Sequence, residues 1–173
     1  MRELNEKQQK EIQLNILESF VNFCNENHIQ YSLGGGTLLG AVRHNGYIPW
    51  DDDIDVMMPR KDYEVFLTKY KNNNFEILDY ETVKDYYYPF AKIVDKRTKL
   101  IEHNYKHIEK MGIYIDVFPI DYLPSNSNKI AKIFSKYKKY DKAITFYRTK
   151  GSIKNSTSVL KKILKIITYC YYK

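Results

Sequence analysis

The chain has 173 residues, 43% hydrophobic and 15% aromatic, with 28 Lys and Arg against 21 Asp and Glu, a formal net charge of +7. This is enough apolar material for one domain plus an appendage, and only 7 glycines and 5 prolines exclude a collagen-like or Pro/Gly-rich disordered chain. No apolar run nears the roughly 18 residues of a membrane-spanning helix, the polar start MRELNEKQQKEIQ lacks the core of a secretory signal, and the distant Cys24 and Cys170 argue against a disulfide framework or thiolate zinc site, so a cytoplasmic protein is expected.

Ile12, Ile16, Phe20 and Cys24 recur every four residues, with Leu17 and Val21 alongside, which predicts an amphipathic helix over 5–27. Ile29–Leu33 predicts a short strand that runs into Gly34, Gly35 and Gly36. Thr37–Arg43 suits a helix, and His44-Asn45-Gly46 has turn chemistry. Ile54–Met58 predicts a buried strand ended by Pro59, followed by a helix over Lys61–Lys71 with Tyr63, Phe66, Leu67 and Tyr70 on one side. Phe75–Tyr80, Tyr88–Val94, Thr98–Glu102 and Ile113–Phe118 predict further strands. After Pro124-Ser125-Asn126 the pattern is helical through Tyr147, and again from Ser158 to the end. The expected class is α/β (α+β), a mixed sheet flanked by helices in a domain of residues 1–126, followed by a basic helical tail, 127–173.

The charge is unevenly spread. Residues 1–60 carry 5 basic and 9 acidic side chains, residues 61–126 carry 10 and 11, and residues 127–173 carry 13 and 1. The basic excess therefore belongs to the tail, and the slightly acidic remainder is not built to grip nucleic acid. In the tail, Lys132, Lys136, Lys139, Lys161, Lys162 and Lys165 lie opposite Ile130, Ile133, Phe134, Tyr137, Leu160, Ile163, Leu164 and Ile167. That pattern suits a solvated helix packed on the domain, or an interfacial helix on an anionic membrane leaflet.

The most informative stretch is Trp50-Asp51-Asp52-Asp53-Ile54-Asp55-Val56. On a strand, Asp51, Asp53 and Asp55 project to one face, where carboxylates repel unless a cation sits between them. Hard divalent cations favour such oxygen ligands. A loop of capping and turn aspartates is the plainer alternative; the apolar strand that follows and the lack of EF-hand spacing argue against it. Asp116, inside the apolar run Ile113–Phe118, must either find a basic partner or bind a metal. Asp121, just after a proline and isoleucine, suits a turn or cap. Three glycines between a strand and a helix let a phosphate approach backbone N–H groups at a helix N-terminus, although the pattern is neither a Walker A nor a GxGxxG element.

A glycine turn, a short helix, Asp-hydrophobic-Asp on the next strand and a third Asp on a later one resemble the nucleotidyltransferase superfamily of polymerase-β-like folds. More narrowly, LGGGTLLGAVRHNGYIPWDDDIDVMMPRKDYEVF (Leu33–Phe66) and IDVFPID (Ile115–Asp121) resemble the LicD family of phosphorylcholine, or more broadly phospho-group, transferases of bacterial surface glycans, related to fukutin-type sugar-phosphate transferases. No family motif is recognisable after Asn126.

The resemblance implies transfer of phosphocholine from CDP-choline to a sugar hydroxyl of a teichoic acid, lipopolysaccharide or capsule precursor, free or lipid-linked. It implies one or two Mg²⁺, with Mn²⁺ as the alternative, held by Asp53, Asp55 and Asp116, the last acting as ligand or as base. Gly35, Gly36 and Thr37 would contact donor phosphates. Arg43 and Lys92 would supply cations to those phosphates; Lys92 interrupts the apolar run Phe90-Ala91-Lys92-Ile93, and either residue also suits a surface side chain. Trp50, beside the aspartates, would wall an aromatic box for the quaternary ammonium, with Tyr47 and Tyr86–Tyr88 near in sequence. Two other readings fit: a related transferase with a polyol-phosphate or sugar-phosphate donor, and a non-catalytic relative that binds nucleotide or glycan.

Overall fold

The computed structural model describes residues 3–103 and 105–149, which fall into two compact units. One comprises residues 3–100 and 108–121, and the other residues 101–103, 105–107 and 122–149. The helix predicted from Ser158 lies outside the described residues.

In the first unit, α1 (Glu6–Glu26) starts where Asn5 and Gln8 close a reciprocal capping box, which satisfies two of the free N–H groups of the first turn. Then come β1 (Ser32–Leu33), α2 (Gly35–His44), β2 (Asp55–Pro59), α3 (Arg60–Lys69), β3 (Phe75–Leu78), β4 (Ala91–Asp95) and β5 (Tyr114–Ile120). The five strands form one mixed sheet in the order β1-β2-β5-β4-β3; β2 and β5 run parallel and the other pairs antiparallel. The mixed sheet flanked by helices is the class expected from the sequence.

Alternation along the strands sends Val56, Met58, Ala91, Ile93, Ile115 and Val117 into one core with Ile16, Phe20 and Cys24 of α1 and Tyr63 and Phe66 of α3. Phe20 and Phe66 meet edge to face at 5.4 Å. The same alternation turns Asp55, Lys92 and Asp116 to the opposite face of the sheet, away from the helices that cover the core.

Several elements differ from the sequence reading. Thr98–Glu102 is not a strand. Asp95 accepts from the Arg97 N–H and guanidinium, and Thr98 Oγ1 donates to the Asp95 carbonyl while accepting the Ile113 N–H, which turns the chain out of the sheet. β3 stops at Leu78 because Asp79 Oδ1 gathers the N–H groups of Glu81 and Thr82 into a tight turn. Tyr88–Phe90 precede β4 rather than belong to it.

In the second unit, α4 (Ser127–Arg148) is capped by the Asn126 side chain on the Lys129 N–H. Ile133, Phe134, Tyr137 and Tyr140 are exposed along it. Residues 101–107 meet the C-terminal end of α4 through the Lys106 N–H on the Arg148 carbonyl and a bridge between Tyr105 and Thr149.

Candidate active site

The site forms where the loop after β1 becomes α2. Both backbone groups of Asp55 are used at that junction: its carbonyl accepts the Gly34 N–H, and its N–H donates to Thr37 Oγ1, each at 2.9 Å. Gly35 adopts φ +49°, and a side chain there would stand 3.0 Å from Asp55 Oδ2. A Cβ on Gly36 would collide with the Asp51 carboxylate. The glycines thus let two carboxylates lie against the first turn of α2, where free N–H groups and the helix dipole favour negative charge.

Of the four aspartates only Asp55 lies on a strand, so strand alternation does not set the common face of Asp51 and Asp53. β2 begins only at Asp55, and Asp51–Ile54 are irregular because their backbone groups are taken by other partners. The Asp51 N–H returns to the Ile48 carbonyl at 2.9 Å, Gln13 Nε2 donates to the Asp52 carbonyl at 2.8 Å, and the Ile54 carbonyl accepts the Asp116 N–H at 2.8 Å. Gln13, buried on α1, also donates to the Tyr114 carbonyl at 3.3 Å and accepts from the Tyr47 hydroxyl at 2.9 Å. So held, Asp51, Asp52 and Asp53 place carboxylate oxygens within 4.8 Å of one another.

Burial and then the neighbouring charges of Asp55, Asp51 and Asp52 raise the Asp53 carboxyl above its usual range. Burial and the Asp51 charge do the same to Asp55, with the Lys92 ammonium pulling the other way. Asp55 stands opposite Asp116 on β5, and Asp116 stands opposite Lys92 on β4. Burial pushes Asp116 up to about 6 against the pull of Lys92, whose ammonium lies 2.5 Å from Asp116 Oδ1. The basic partner that the sequence left open for Asp116 is therefore Lys92, itself only 1% exposed.

The other predicted site residues lie as follows. Gly35, Gly36 and Thr37 form the first turn of α2 beside Asp51 and Asp55. Arg43 is in the last turn of the same helix, exposed, with its Nε on His44 Nδ1 at 3.4 Å. Seven or eight residues at about 1.5 Å each separate it from the glycines. Trp50 is 79% exposed next to Asp51 and meets His44 edge to face at 6.5 Å. Tyr47 turns its hydroxyl to Gln13, while Tyr86 and Tyr87 are buried. Asp121 holds Arg60 in a two-pronged ion pair at 2.6 and 2.7 Å instead of capping a turn.

Two residues outside the predicted set belong to the site. Asp51 shares the two-residue spacing already noted for Asp53 and Asp55. Gln13 is legible only as a polar residue on the buried stripe of α1, three residues before Ile16.

The donor set fits a hard divalent cation. Its atoms are carboxylate oxygens, and the repulsion that raises Asp53 and Asp55 is what such an ion relieves.

Residues 28–159 match the family model described as LicD/FKTN/FKRP, nucleotidyltransferase domain, so the match continues past Asn126, where recognisable motifs end. The chain is 34% identical over 98% of its length to the lipopolysaccharide cholinephosphotransferase LicD of Haemophilus influenzae, and spans 64% of that protein. It is 31% identical over 66% of its length to mannosyltransferase regulator 4 of Saccharomyces cerevisiae, of which it covers 10%. No solved structure matches it. With the family model covering most of the sequence and a relative 34% identical over nearly the whole chain, the chain belongs to the LicD family of nucleotidyltransferase-type domains.

Proposed function

We propose that the chain transfers phosphocholine from CDP-choline to a sugar hydroxyl of a cell-surface glycan, with Mg²⁺ or Mn²⁺ bound by its aspartates. The observation that carries this reading is the cluster of Asp51, Asp52 and Asp53 with Asp55, opposite Asp116, beside a glycine-opened helix N-terminus. The name of the Haemophilus influenzae relative supplies the choline and the lipopolysaccharide acceptor.

In this reading the acceptor oxygen attacks the choline-bearing phosphorus, the anhydride P–O bond breaks, and CMP leaves. Asp51, Asp53 and Asp55 would hold a divalent cation, which would supply charge neutralisation for the donor's pyrophosphate. Asp116, with a carboxyl pushed up to about 6, would take the acceptor's hydroxyl proton. Lys92 fixes the orientation of Asp116 rather than reaching a phosphate. The Gly35 and Gly36 backbone lies beside the same carboxylates, and Trp50 offers an exposed aromatic face to the quaternary ammonium. Arg43 is the remaining candidate for a phosphate cation.

No described helix is long and apolar enough to cross a membrane. Residues 127–173 bring the protein to anionic lipid on the cytoplasmic side: α4 carries exposed Ile133, Phe134, Tyr137 and Tyr140 among Lys132, Lys136 and Lys139.

The test is CMP release from CDP-choline with purified glycan acceptor and Mg²⁺. Release by the wild type and not by Asp53→Asn supports the reading. Release only from a polyol-phosphate or sugar-phosphate donor keeps the transferase and replaces the choline. Binding of nucleotide without release from any donor favours the non-catalytic relative.

A further inference from the structure

Three charged side chains stand in register across β2, β5 and β4: Asp55, Asp116 and Lys92. Neighbouring strands lie about 4.8 Å apart, so Asp55 and Lys92 flank Asp116 on one face of the sheet. Lys92 and Asp116 are 1% and 8% exposed, which places their ion pair beneath the surface rather than in solvent.

The ammonium is walled as well as paired. It lies 3.5 Å from the centre of the Tyr114 ring, 4.3 Å from Tyr88 and 5.3 Å from Phe90. Ring faces hold a cation without cancelling its charge, so the counter-charge for Lys92 comes from the carboxylate row. Rooted in the middle of β4 and boxed by three rings, this side chain does not swing out to a substrate phosphate. A cation brought to Asp116 from the β4 side would meet that ammonium first. Sites that use paired ions hold them about 3.5–4 Å apart with carboxylates between, and an ammonium fixed on Asp116 repels a second divalent ion brought to that carboxylate.

We propose that Lys92 is a resident cation standing in for a second divalent ion, so that the centre takes one divalent cation, on the side of Asp51, Asp53 and Asp55. Asp116 is then held by Lys92 as an oriented carboxylate rather than shared between two metals. Lys92 is a positioning residue in this scheme, and the number of ions per chain is its signature. The inference rests on the metal-dependent reading given above and narrows it.

The test is Mn²⁺ titration of the full chain, with free Mn²⁺ counted by electron paramagnetic resonance. It is run alone and with CDP-choline, corrected for Mn²⁺ held by the nucleotide. The expected result is one Mn²⁺ per chain in both cases. Lys92→Arg keeps one, Lys92→Met admits a second because Asp116 has lost its counter-charge, and Lys92→Met combined with Asp116→Asn returns to one. A merely structural lysine would leave the stoichiometry unchanged in every folded variant. Two Mn²⁺ per wild-type chain, or one per folded Lys92→Met chain, overturns the inference and leaves the transferase reading standing. No Mn²⁺ bound by any variant overturns the metal-dependent reading itself. If Lys92→Met does not fold, the wild-type count decides alone.

Discussion

Thr37 Oγ1 accepts the Asp55 N–H at 2.9 Å, which ties the first turn of α2 to the first residue of β2. Together with the Gly34 N–H on the Asp55 carbonyl, this hydroxyl sets the distance between the glycine turn and the carboxylate row. Replacing Thr37 by Val leaves that N–H without its partner, with an expected loss of about 1 kcal/mol in stability. A larger loss is expected in turnover, because Asp55 is no longer held. Thr37→Ser should keep both. Chemical denaturation and a CMP-release assay on the two variants measure the pair of effects.

Asp53 and Asp55 have carboxyls raised by burial and by neighbouring carboxylates, so each opposes the other's charge in the metal-free chain. Asp53→Asn or Asp55→Asn is expected to abolish turnover while the melting temperature in chelator stays level or rises. A fall of several degrees in chelator would mean that these carboxylates stabilise the fold through partners other than a metal.

The same shifts fix a pH dependence. Asp116 titrates at about 6 in the folded chain against about 3.9 when unfolded. The folded chain holds the proton more tightly, so this contribution to stability is fully present below about pH 4 and is lost as pH rises through about 6. Asp53 and Asp55 act in the same direction. In chelator, the difference in melting temperature between Asp53→Asn and wild type should therefore widen in favour of the variant as pH rises above the ordinary carboxylate range. Added Mn²⁺ should stabilise the wild type more at the higher pH, and calorimetric melts in paired buffers read both effects.

Gly36 and Gly46 make a matched comparison. A Cβ at Gly36 meets the Asp51 carboxylate, whereas nothing lies within 4 Å of one at Gly46. Gly36→Ala is expected to lower turnover roughly a hundredfold, the scale of effect that a displacement of about 1 Å near reacting groups produces. Gly46→Ala should behave as wild type in the same assay.

Residues 127–173 supply a prediction independent of catalysis. The chain should sediment with vesicles containing phosphatidylglycerol at low ionic strength and be released by about 0.5 M salt, where the Debye length has shrunk to a few ångströms. Absence of sedimentation at low salt contradicts the membrane-contact reading of α4.

The fold was legible where periodicity and burial agree. Ile16, Phe20 and Cys24 mark the inner face of α1, and Val56 with Met58 mark that of β2. It was not legible where side chains capture backbone groups: Asp79 and Asp95 end their strands through local hydrogen bonds that carry no periodic signal. At the site, the run of aspartates and the isolated Asp116 stood out because charge beside apolar strand residues needs a partner. Which partner it was depended on register, since Lys92 and Asp116 are 24 positions apart and meet only through β4–β5 pairing. Gln13 was hidden for a similar reason: its carbonyl partners belong to Asp52 and Tyr114, 39 and 101 positions away.

The most direct test of metal-dependent phosphocholine transfer is calorimetric titration of the chain with CDP-choline, with and without Mg²⁺, beside CDP-ethanolamine, CDP-glycerol and CTP. Binding that requires Mg²⁺ and prefers CDP-choline is expected. Binding that is indifferent to Mg²⁺, or no binding of any cytidine nucleotide, would contradict it.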